Sequence, residues 1–338
     1  MTNLTNPSRR RFLKGAALVG AAAVTGASQL IRSPLTSLTT PKTLVRAQGD
    51  HPLNTMSADL PAVNSSITLH TPHVIKEIAP GVLTELWTYE SSSPGPHLHV
   101  KEGEEVAFTL INDSGAMAHS IDFHAALLPW DKYYQSVPAG EQASFTWTPP
   151  YPGVYMYHCG TPPVLMHLGN GMHGAIIVQP KNGWAEPARE YVLVQHEYYL
   201  GEADEQGVQR GDFGKMSAAT PDYVVFNGYA NQYVDAPLAA DPGELIRIHV
   251  CNCGPSHWSA FHVIGTLFEA AYADGNPANK QVGMQTVTIP PGGGYTVEMR
   301  IPDEGLYPFV THSFAYTGLG ALGVIKVGNP PAVGGASH

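Results

Sequence analysis

The sequence predicts an all-β chain of two tandem Greek-key β-sandwich domains, and three observations carry that prediction. Glycine and proline are abundant, 35 and 29 of 338 residues, which suits many strands joined by turns better than long helices. Strand patterns recur at 106–111, 143–147, 153–158, 175–179, 191–196, 244–250, 295–301 and 323–327. Turn residues separate them, as in Pro138-Ala139-Gly140 and Pro290-Pro291-Gly292. Finally, the two halves resemble each other. His119-Ser-Ile-Asp-Phe-His124 has the spacing of His257-Trp-Ser-Ala-Phe-His262, and Gly153-Val-Tyr155 matches Gly305-Leu-Tyr307. Gly174 to Val178 corresponds loosely to Gly320 to Val324. A hydrophobic content of 43% supplies two cores.

Taken in order, residues 1–47 read as an export segment. Arg9-Arg10-Arg11-Phe12-Leu13-Lys14 precedes an uncharged stretch, Gly15 to Leu30, too short and too rich in Ala and Gly to span a membrane. This is the pattern of a twin-arginine signal, with Ala27 and Ala47 as candidate cleavage points. The Pro- and Thr-rich segment 33–63 reads as a linker or mobile arm. The first domain is expected over 48–182, the boundary near Pro180 to Pro187, and the second domain over 183–338. The tail from Gly328 reads as disordered.

Charge restricts the partners. The first 47 residues hold seven of the 18 basic residues and none of the 28 acidic ones, so the remainder carries a net of about −17. Nothing in it attracts nucleic acid, and no second stretch is long and apolar enough for an integral membrane segment. The three cysteines do not make a disulfide framework. Cys251 and Cys253 are two apart in a predicted strand and share a face, where a disulfide would be strained, so they read as packing residues.

Cys159 carries the chemistry. It follows His158, precedes His167 by eight positions and Met172 by thirteen, and lies forty residues after His119. Two imidazoles, a thiolate and a thioether form the ligand set of an electron-transferring blue (type 1) copper site. Strand parity divides the neighbouring residues. One consistent solution turns His119 and Cys159 inward and Asp122, His124 and His158 outward, where two histidines alone would equally read as an ordinary surface pair. The outward histidines with an acid suggest a second metal, one peptide bond from the first, with a position left open for substrate. The second half has Thr311 where the first has Cys159, so it cannot build a blue site.

Together these motifs resemble the copper-containing nitrite reductases, two-cupredoxin-domain enzymes, from about Pro94 to Val327. They are His119-Ser-Ile-Asp122-Phe-His124, His158-Cys159 through His167 to Met172, Phe261-His262-Val-Ile264-Gly, and Val310-Thr-His312. The eight-residue step from Cys159 to His167 is similar to the subgroup with the shorter ligand loop. The resemblance implies type 1 copper on His119, Cys159, His167 and Met172. It implies a catalytic type 2 copper on His124 and His158 of one subunit and His312 of the next, hence a homotrimer. Asp122 and His262 would handle protons, and Ile264 would limit how substrate sits. Nitrite would be reduced to nitric oxide by one electron and two protons, the electron arriving from a cupredoxin or c-type cytochrome docked near His167 and passing through Cys159 and His158.

Some residues depart from the family pattern. Leu127 to Tyr134 is bulky where many members are glycine-rich, which bears on access and leaves another small substrate open. His257, His97 and His99 are not family ligands and read as surface or packing residues. His173 is expected at the exposed rim of the blue site. A two-domain, laccase-like multicopper oxidase is the alternative, but it needs histidines on both sides of the cysteine, and here Gly160 follows Cys159. A pure electron carrier would leave Asp122, His124, His158, His262 and His312 without purpose.

Overall fold

Alternating burial along the strands pairs sheets into two sandwiches, as in Val106–Ile111 and Leu322–Val327, where every second residue is buried. The computed structural model describes residues 51–330; the export segment and the end of the tail lie outside them. In the first half one sheet runs Ser66–His70, Val106–Ile111, Gln142–Trp147, and the other Leu98–Lys101, His173–Gln179, Gly153–His158, Asp122–Phe123. Phe108, Phe123, Trp147 and Tyr157 fill the space between them, with Phe123 stacked on Trp147 at 5.2 Å. In the second half the sheets are larger. Arg189–Tyr198, Leu245–Gly254 and Gly294–Arg300 form the middle of one, and Leu322–Val327, Gly305–Thr311 and Ser259–Val263 the middle of the other.

The connectivity repeats as the sequence similarity suggests. Ser66–His70 pairs parallel to Val106–Ile111, which pairs antiparallel to Gln142–Trp147. Arg189–Tyr198, Leu245–Gly254 and Gly294–Arg300 reproduce that order and those senses. All eight predicted strands overlap observed ones. One correspondence needs correcting. Gly174 lies opposite Tyr157, and the residue opposite Phe309 is Gly323, not Gly320. An added β-carbon at Gly174 or Gly323 would strike the ring of Tyr157 or Phe309, so both glycines exist to seat an aromatic ring.

The two sandwiches share a core. Val154, Met156, Ala175 and Ile177 of the first pack on Val192, Val194, Cys251 and Cys253 of the second. Each fully buried Val, Ile or Met contributes roughly 1.5–3 kcal/mol. Cys251 and Cys253 are free and buried, their sulfurs 3.8 Å apart, in agreement with a packing role.

One expectation fails here. The segment 51–63 is not a mobile arm: Asn54 is buried and donates to Tyr198 Oη at 2.9 Å and Gly228 O at 3.1 Å, and Ala58 joins the second core. A buried amide with partners anchors the chain, because leaving them unmade would cost its full desolvation. A third small sheet was also not foreseen. The hairpin His73–Ala79 and Val82–Trp87 pairs with Val208–Gln209, so it links the halves across the expected boundary.

Candidate metal centres

The end of the Gly153–His158 strand positions both donor clusters. Asp122 pairs with His158, and Phe123 with Tyr157, in a two-residue antiparallel ladder. Adjacent side chains alternate faces, so Cys159 enters the core while His158 points out. His119, Cys159 and His167 are buried and converge, with donor atoms all within 4.8 Å of one another. His119 Nδ1 lies 3.2 Å from His167 Nδ1, and Cys159 Sγ 3.3 Å from the same nitrogen. The short helix Val164–Gly169 carries His167, and Met172 follows it, wholly buried beside Cys159. The Cys159 amide donates to Met172 O at 3.1 Å and closes this loop. The Ser120 amide faces the sulfur at 3.3 Å, a backbone dipole suited to a thiolate.

These residues fit a soft metal ion. Burial first, then the neighbouring His167 and His73, pushes His119 down to about 3, and burial with His73 pushes His167 to about 4. Both imidazoles are therefore neutral at physiological pH, the form that binds metal. Their facing lone pairs call for a cation between them.

The outer cluster is Asp122, His124 and His158, again within 4.8 Å. His124 donates from Nδ1 to Gly292 O at 3.3 Å, and His158 from Nδ1 to Cys159 O at 2.9 Å. Both Nε2 lone pairs are left facing one another at 3.2 Å, with Asp122 Oδ2 3.7 Å from His158 Nε2. Desolvation, then His158, lowers the His124 pKa, while Asp122 and the Gly292 carbonyl oppose them, although part of the side chain stays exposed. An unshared lone pair on each imidazole beside a carboxylate suits a divalent cation with a ligand position to spare.

His312 and His262 are not in that cluster. They form their own pair on the second sandwich, ring centroids 5.1 Å apart, with His262 Nδ1 donating to Gln285 O. Ile264 lies beside them, exposed, its amide bonded to Pro308 O. The segment 127–134 borders the outer cluster: Tyr134 reaches Phe123 O, burial and Asp122 raise its pKa, and Leu127 and Trp130 project into solvent.

One placement corrects the expectations. His173 is not at a rim but wholly buried, because pairing opposite His158 turns it to the shared core, where its ring meets His196 at 4.8 Å. His167 is buried, with 3% of its surface exposed. His97 and His99 are buried on the strand face opposite Leu98 and Val100, His99 bonding Pro61 O at 2.7 Å, and His257 bonds Ala219 O and Tyr316; all three agree with the expected packing role. Sequence reasoning missed Gly292, which orients His124. It also missed Trp87, whose ring meets His167 at 5.1 Å, and His73, 3.0 Å from His119 Nε2. No motif links those residues to the donors; only the high histidine count hinted at more.

Comparison with known proteins bears on the family. The multicopper oxidase family matches residues 74–183, and the twin-arginine translocation signal matches residues 6–26. A copper-containing nitrite reductase of Neisseria gonorrhoeae is 36% identical over 266 residues, covering 77% of this chain and 68% of that protein. The structure of a copper nitrite reductase from Nitrosomonas europaea superposes with a TM-score of 0.72 at 37% identity, over 78% of this chain and 94% of its own. A multicopper oxidase structure superposes at 0.69 with 24% identity, over 81% and 93%, a likeness of fold. Among the described residues no helix is long and apolar enough to cross a membrane.

Proposed function

The chain belongs to the copper-containing nitrite reductases, and we propose that it reduces nitrite to nitric oxide and water, consuming one electron and two protons. Its twin-arginine signal directs it out of the cytoplasm, to the periplasm or an equivalent extracytoplasmic space. One observation carries the proposal: two donor clusters of different chemistry on adjacent residues, Cys159 inward and His158 outward.

His119, Cys159, His167 and Met172 would hold a type 1 copper. His124 and His158, with His312 of a neighbouring copy, would hold a type 2 copper, one of each per subunit. Copper when bound supplies a one-electron couple at the first cluster and an open Lewis-acid position at the second. The Cys159–His158 peptide link joins the two clusters covalently. His262 and His312 stand apart from the outer cluster in one chain, which supports a homotrimer in which each site draws on two copies. The domains are assigned to 48–182 and 183–338.

Asp122 would hold a proton near the reacting oxygen, and its carboxylate 3.7 Å from His158 Nε2 supports that role. His262 uses Nδ1 on Gln285 O, which leaves Nε2 to deliver the second proton. Exposed Ile264 beside it would restrict the bound orientation of so small a substrate. A cupredoxin or c-type cytochrome would supply the electron. Four-electron oxygen chemistry needs a histidine after the cysteine, and Gly160 instead uses its amide to bond Ser120 Oγ at 2.9 Å.

The test is anaerobic. Copper-loaded protein receives nitrite and a reduced dye, with nitric oxide measured directly, and phenol oxidation is followed in air. Nitric oxide without phenol oxidation is the expected result. No nitric oxide from protein with both clusters loaded would overturn the reading.

A further inference from the structure

The inner cluster has a polar cover that the reaction scheme does not use. His73 begins the strand His73–Ala79 and pairs across the hairpin with Trp87, the last residue of Val82–Trp87. The two rings stack nearly parallel, 8° apart with centroids at 5.2 Å. Trp87 then presents its edge to His167. His73 Nε2 lies 3.0 Å from His119 Nε2, on the side of that imidazole facing away from His167 and Cys159. Backbone pairing and the stack fix the His73 ring from two directions, so this contact is built into the fold.

The direction of the hydrogen bond follows from the ligand. His119 faces the cluster through Nδ1, so a metal there leaves the ring proton on Nε2. His119 must then donate, and His73 Nε2 must accept. A ligand imidazole that donates its remote N–H becomes a better electron donor to the metal. Greater basicity stabilises the more highly charged oxidised ion over the reduced one.

We propose that His73 is a positioning residue for the type 1 copper: its Nε2 accepts the His119 Nε2–H, holds that ring in one tautomer and lowers the reduction potential. The inference rests on the type 1 assignment above. Loss of such a partner typically costs about 10–100-fold in metal affinity. A tenfold loss falling on the oxidised form alone raises a one-electron potential by about 59 mV.

Two variants of the copper-loaded enzyme test this by optical redox titration of the blue band, without nitrite. His73→Phe keeps a ring against Trp87 but removes the acceptor, and the potential should rise by tens of millivolts, about 59 mV for a tenfold loss. His73→Gln keeps an acceptor oxygen and should restore most of the original value. If His73→Phe fails to load copper while His73→Gln loads it, the acceptor is again the requirement. An unchanged potential in fully loaded His73→Phe would overturn the inference, as would failure of both variants to load. Absence of any blue band in the parent protein would instead overturn the type 1 assignment beneath it.

Discussion

Replacing His97 by Gln should flatten the acid side of the stability curve. His97 is buried, its Nε2 has no hydrogen-bond partner, and burial pushes its pKa from 6.5 down to about 4. The sign follows from proton counts. Below 6.5 the unfolded chain binds a proton at His97 that the folded chain refuses, so stability is full above 6.5 and is lost as pH falls towards 4. At 1.36 kcal/mol per pH unit, the loss is ~2 kcal/mol by about pH 5 and ~3 kcal/mol by about pH 4, levelling off at ~3.4 kcal/mol below. Gln has no such titration. Urea unfolding of parent and His97→Gln at equal protein concentration, at about pH 7 and about pH 5, isolates the residue because all other groups cancel. The stability difference between the two proteins should shift by ~2 kcal/mol in favour of the variant at the lower pH. A difference that stays constant between the two conditions would refute the reasoning and mean that His97 is protonated inside the fold.

Asp122→Asn should reduce nitrite turnover about 10²–10⁴-fold, the range for a lost acid–base group, while the blue absorption remains. If His312 of a neighbouring copy completes the outer set as proposed, His312→Ala should lower copper from about two to about one per chain by metal analysis, with the blue band kept. Cys159→Ser should abolish the blue colour and dye-driven turnover together, because the thiolate is the ligand that defines the site. Gly174→Ala should destabilise the fold by about 1–3 kcal/mol in a denaturant titration, because its β-carbon overlaps the wholly buried Tyr157 ring.

What was legible in the sequence was whatever local periodicity or fixed spacing encodes. The run 153–158 is rich in strand formers and leads straight into Cys159, so both its strand character and the opposite faces of the adjacent His158 and Cys159 were readable. The hairpin His73–Ala79 was not, since its residues are nearly all half-buried and show no clean alternation. Gly292 and His73 act on the donors across 168 and 46 residues through a carbonyl and a ring nitrogen. Such long-range partners leave no spacing to recognise. His173 was misplaced because its exposure is decided by a neighbour, the second sandwich, rather than by its own sequence context.

The two halves share connectivity but differ in register at their donor ends, and that difference separates their roles. In the first half Phe123 lies opposite Tyr157, and the ladder stops at His158. Phe309 occupies the place of Tyr157, opposite its own glycine. Phe261 nevertheless pairs with Thr311, two residues further on. A shift of two preserves faces, so Phe261 remains buried as Phe123 does. The extended ladder engages Thr311, whose hydroxyl accepts the Ala260 amide at 3.1 Å, where the first half frees Cys159 as a donor. Backbone pairing thus continues to the last residue before His312, whose own amide bonds Ala260 O at 2.7 Å. Where the first half gathers a buried donor cluster, the second half has a backbone-anchored strand end that presents His312 and His262 at its surface. Under the proposed function, in which these side chains complete a site on another copy, such backbone anchoring lowers the cost of binding metal, because each freely rotating ligand would add its ordering entropy.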